Sequence, residues 1–172
     1  SLIRRRGRKL RSEIAELGRS LEGKMVKDPR FSYLMEPWTA AADVRSVLYV
    51  LRHPREAAMS MSRQTRLPLK LTYLGWVDAI EKFWSSPPAV PVHIVDYNAF
   101  FDPAARDLEM RTLCEFSGRA HRPELTGEVL DKVLDSKLRT QRHPTIELPA
   151  KVAQLSAEIL DRKTQQHREV RG

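Results

Sequence analysis

Apolar positions fall into two kinds of pattern along the chain. Leu10, Ile14, Leu17 and Leu21 recur at helical spacing, as do Tyr73, Val77, Ile80 and Trp84, and again Leu148, Val152, Leu155 and Ile159. Each set predicts one face of an amphipathic helix. Gly23 is placed to stop the first of these, and Ser85-Ser86-Pro87-Pro88 closes the second. Val47 to Val50 is instead a short unbroken apolar run with β-branched and aromatic members, the pattern of a strand buried on both faces. Lys24 to Lys27 and Val92 to Tyr97 read as two further strands.

Punctuation between these segments is equally informative. Pro54 fits the first turn of a helix, where its missing N–H costs nothing, and Arg55 to Arg63 continues without Gly or Pro. Phe31 to Glu36 predicts a short helix stopped by Pro37, and Thr39 to Arg45 a loop. Asp102-Pro103 predicts a helix start and Gly118 its stop. Strands separated by helical segments predict an α/β fold: a parallel sheet holding Met25–Lys27, Val47–Leu51 and Val92–Asp96, flanked by helices. The expected organisation is one domain over residues 1–172, with a basic N-terminal helix at 1–23 and a C-terminal helix at 147–163. The polar residues after Lys163 predict a fraying end.

Composition narrows the class only a little. With 172 residues, 41% hydrophobic and 30% charged, the chain can bury a real core. It has no apolar run of membrane-span length and no secretory leader pattern. Cys114 is the only cysteine, so no disulfide can form within the chain; a reducing, cytoplasmic setting is the expectation. The net charge of +8 suits an anionic partner. Part of it sits in Arg4, Arg5, Arg6, Arg8, Lys9 and Arg11, which read either as a solvated helix face or as an anion contact. No group of residues has metal-ligand spacing, and no Ser/His/Asp arrangement can be argued.

Arg52 falls where the central strand meets its helix, and open α/β sheets bind ligands at that carboxyl end. Ser60 comes eight residues later, about two helical turns on. Arg52-His53-Pro54 with Ser60 resembles the 3′-phosphate-binding motif of sulfotransferases that use 3′-phosphoadenosine-5′-phosphosulfate (PAPS). Two other blocks are similar to the bacterial members. One is KMVKDPRFSYLMEPW. The other is VHIVDYNAFFDPAARDLEMRTLCEFSG, which reads Asp96-Tyr97-Asn98 and Phe116-Ser117-Gly118 where the family has its own variants. The run from Leu134 to Arg139, with Arg142, loosely resembles a basic loop that closes over the nucleotide.

The resemblance implies a partial P-loop-NTPase-like sulfotransferase fold and transfer of a sulfuryl group from PAPS to an acceptor hydroxyl or amine, leaving 3′,5′-diphosphoadenosine and needing no metal. By the same resemblance Arg52 and Ser60 hold the 3′-phosphate, with Arg139 and Arg142 as further nucleotide contacts. Lys27 corresponds to a Lys-Asp-Pro lysine that stabilises the transferring group in tyrosylprotein sulfotransferases. The family's 5′-phosphosulfate loop has no counterpart in Ser1 to Gly23, so the expectation is a fragment or an incompletely represented chain, ahead of a degenerate relative. The catalytic base and the acceptor are not assigned. Two other readings stay open: a sulfotransferase-like interaction domain without catalysis, and a basic helical module for nucleic acid.

Overall fold

The computed structural model describes residues 2–28, 31–133 and 147–169. In chain order the elements are α1 (Leu2–Ser20), α2 (Phe31–Ala41), β1 (Val47–Leu51), α3 (Pro54–Thr65), α4 (Leu69–Ser85), β2 (Val92–Asp96), a 3-10 turn (Tyr97–Phe101), α5 (Pro103–Phe116), α6 (Pro123–Val133) and α7 (Ala150–Glu169). The fold is α/β: β1 and β2 pair in parallel, with α3 and α4 as the crossover that parallel strands require. No helix among the described residues is long and apolar enough to cross a membrane. The chain divides into two compact units, Ser1–Val47 with Asp78–Val92, and Leu48–Val77 with His93–Gly172.

In the first unit α1 packs against α2. The approach is close at Gly18, where a Cβ would lie 2.6 Å from the Ala42 Cβ. Ile14 and Met35 are buried, whereas Leu17 of the predicted α1 face is half exposed. After Gly23, at φ +71°, the expected strand Met25–Lys27 does not form. Lys24 to Asp28 is irregular, and Met25 is 80% exposed. Strand propensity is realised only against a paired neighbour, and the two apolar residues Met25 and Val26, flanked by lysines, bury too little to recruit one. The helix expected to stop at Pro37 instead runs through it to Ala41. Proline removes a single N–H, and the contacts around it hold both sides. The Phe31 and Trp38 rings meet edge-on at 5.2 Å, and the Thr39 hydroxyl donates to the Met35 carbonyl at 3.0 Å.

The second unit carries the sheet. His93, Ile94 and Val95 are all buried, so β2 is the strand covered on both faces. Val50 in β1 is 60% exposed and only Leu51 of that strand is buried, contrary to the double burial its apolar run predicts. Local signals set the helix ends. Asp102 caps α5 by accepting from the Ala104 N–H, and Pro103 takes the first position. At the other end Gly118, at φ +65°, lets the Arg119 N–H reach back to the Cys114 carbonyl at 2.8 Å.

The edge of β2 away from β1 is closed by side chains. The Ile94 N–H donates to the Gln166 side-chain oxygen at 3.0 Å, and the Asp96 N–H donates to Glu109 at 2.6 Å. Glu109 also accepts from the Lys163 ammonium at 2.5 Å, with both residues buried. This accounts for the length of α7, which continues to Glu169 rather than fraying after Lys163. Val152, Leu155 and Ile159 are buried, and Lys163 and Gln166 extend the same stripe with polar groups that find partners on β2 and α5. His93 lies beside this cluster, 1% exposed and stacked on Phe116 at 4.9 Å between ring centres. Burial pushes its pKa below the ordinary imidazole value; Glu109 opposes the shift, while Lys163 and His167 add to it.

Lys163→Met leaves the Glu109 carboxylate buried without its cation and is expected to cost about 3–5 kcal/mol in urea denaturation. A loss under about 1 kcal/mol would mean that the pair contributes as little as an exposed one. A histidine depressed in the fold stays neutral while the unfolded chain takes up the proton. Its contribution is therefore present above the unfolded pKa of about 6.5 and is lost as pH falls toward the lower folded value. His93→Phe, which keeps a ring against Phe116, is expected to flatten the fall in melting temperature between about pH 7 and 5. Parallel curves for the two proteins would show that other groups control that window.

Candidate anion site at the carboxyl ends of the strands

Parallel pairing sets the carboxyl ends of β1 and β2 side by side, so the segments leaving the two strands meet there. After β1 come Arg52 and His53, then Pro54 at the start of α3. The pre-proline position holds His53 extended, at φ −49° and ψ 128°. Its carbonyl accepts from the Ala57 N–H at 3.0 Å, but its side chain makes no cap hydrogen bond. The first amides of α3 therefore have no side-chain cap, and a partial positive charge sits beside Arg52.

Glu56 and Tyr97 both contact the Arg52 side chain. Its Nε donates to the Glu56 carboxylate, four residues on in the first turn of α3, at 3.3 Å. Its guanidinium carbon stands 4.8 Å from the centre of the Tyr97 ring, within cation–π range. Tyr97 opens the turn after β2 and meets the Phe101 ring edge-on at 5.2 Å. Asp96 fixes that turn by accepting from the Asn98 N–H at 2.8 Å. Glu56 is 7% exposed, and Arg52 is partly open to solvent. Among the described residues, an anion arriving here would meet the Arg52 guanidinium and the start of α3, with the Glu56 carboxylate opposing it.

The residues singled out from the sequence fare differently. Arg52 lies at the end of a parallel strand, as expected. Ser60 is half-buried in α3, one turn beyond Glu56. Lys27 does not end a strand; it is exposed in the irregular segment after α1 and belongs to the first unit. Arg139 and Arg142 lie outside the described residues. Glu56 and Tyr97 contact Arg52 without having been picked out for it. The signal for Glu56 was present, since an acid four residues after an arginine is the spacing of a helical ion pair. Tyr97 reads equally well as a sheet-end residue.

The chain matches no protein-family model, no curated protein and no solved structure.

Proposed function

We propose that this chain is a PAPS-dependent sulfotransferase, or the greater part of one, and that Arg52 binds the nucleotide's 3′-phosphate. The observation that carries the reading is Arg52 at the carboxyl end of a parallel strand, beside the uncapped start of α3. Guanidinium and helix amides are both suited to phosphate oxygens. Ser60 supplies a neutral hydrogen bond in this reading. The resemblance of the three sequence blocks to the sulfotransferases adds the reaction. An acceptor oxygen or nitrogen attacks sulfur, the bond from sulfur to the phosphate oxygen breaks, and 3′,5′-diphosphoadenosine leaves with that electron pair. The acceptor's proton passes to a base. Such a displacement depends on positioning and on cations near the developing charge. Lys27 enters as that cation on the Lys-Asp-Pro likeness alone.

Arg52→Ala is expected to weaken 3′,5′-diphosphoadenosine binding by about 1.5–3 kcal/mol, and Ser60→Ala by about 0.5–1.5 kcal/mol. Adenosine 5′-phosphate, which lacks the 3′ group, is expected to be insensitive to both changes. Calorimetry showing equal losses for the two nucleotides would remove the assignment. In a transfer assay with PAPS, Lys27→Ala is expected to cut turnover by roughly 10²–10³ with little change in nucleotide affinity. Its melting temperature is expected to be unaltered, because the side chain is exposed. Unchanged turnover would leave the transferring group without its proposed cation.

A further inference from the structure

Glu56 is a buried acid paired with Arg52, the arginine to which the 3′-phosphate is assigned. By Coulomb's law alone it should hinder an anion, since it offsets the positive charge that would attract a phosphate. A second role is visible in the geometry. The guanidinium is planar and carries its five N–H groups in a fixed fork. A carboxylate at Nε and an aromatic ring on the face constrain both the direction of the fork and its rotation. Here the carboxylate is Glu56 at 3.3 Å, and the ring is Tyr97 at 4.8 Å. Each is fixed in turn. Glu56 is buried in the first turn of α3, and Tyr97 is braced by Phe101. An unrestrained arginine would lose side-chain entropy on clamping a phosphate. An arginine already ordered loses less, which is how pre-organisation raises affinity.

We infer that Glu56 and Tyr97 are positioning residues for Arg52: they fix the plane of its guanidinium and thereby set the preference for a nucleotide bearing a 3′-phosphate. The inference rests on the nucleotide reading above, and it reverses the sign that charge alone assigns to Glu56. Removing the carboxylate would tighten anion binding if charge dominated. If positioning dominates, its removal weakens binding, and only for the ligand that carries the 3′ group.

The test measures the affinity ratio of 3′,5′-diphosphoadenosine to adenosine 5′-phosphate by calorimetry on the 172-residue chain and its variants. Glu56→Ala is expected to lower the ratio about tenfold, the equivalent of one lost hydrogen bond to a charged group. Glu56→Gln keeps an acceptor for Nε and is expected to hold most of the ratio. Tyr97→Leu is expected to lower it several-fold, and Tyr97→Phe, which keeps the ring face, to preserve it. General damage to the fold would weaken both nucleotides alike and leave the ratio unmoved, as would a purely structural role; either result overturns the inference. A ratio that rises in Glu56→Ala, or falls equally in Tyr97→Phe and Tyr97→Leu, overturns it too. These outcomes concern positioning alone. A wild-type protein that binds the two nucleotides equally overturns the nucleotide reading itself, and the inference with it.

Discussion

Two strands that run the same way cannot be joined by a tight turn, and that constraint shapes the second unit. The chain must leave the carboxyl end of β1, travel back through α3 and α4, and re-enter beside its own start. Both exits then lie at one end of the sheet. Arg52 and Tyr97 are 45 positions apart by their numbers (97 − 52), yet the guanidinium and the ring meet. The same exit from β1 is a proline-started helix, so a cation and a set of uncapped amides converge without any dedicated loop. This convergence is a by-product of strand direction, to which the sequence adds only the side chains.

A two-stranded sheet is marginal by itself, and this one draws support from helix side chains. Backbone N–H groups on the outer side of β2 would otherwise face an apolar interior without partners. Gln166 and Glu109 take them up, and Lys163 balances the charge that Glu109 brings in. A buried carboxylate with an amide and an ammonium on its two oxygens has few rearrangements open to it, so α5 and α7 are set against β2 in one register. The arrangement ties residues far apart in the chain, which local sequence patterns do not report.

How much could be read from the chain tracks that division. Signals that act over a few residues were legible. Pro54 began a helix, Asp102 with Pro103 began another, Gly118 ended it, and the apolar run from Val47 became a strand. Features decided by a distant partner were not. The segment Met25–Lys27 has the composition of a strand and is irregular. Pro37 carries a stop signal that the Phe31–Trp38 and Thr39 contacts override. Apolar periodicity ends at Ile159, but the buried stripe goes on in polar residues, so a pattern search stops where the helix does not. At the candidate site Arg52 stood out by its place before a proline-started helix. Its partners did not, because one is a helical neighbour of ordinary type and the other arrives from the next strand.

The closure of β2 shields one edge of the sheet. A strand arriving at that edge would have to break into these side-chain hydrogen bonds and strand a buried carboxylate. The edge is thereby withdrawn from the pairing through which exposed strands aggregate. Helix α7 serves in this respect as a guard rail.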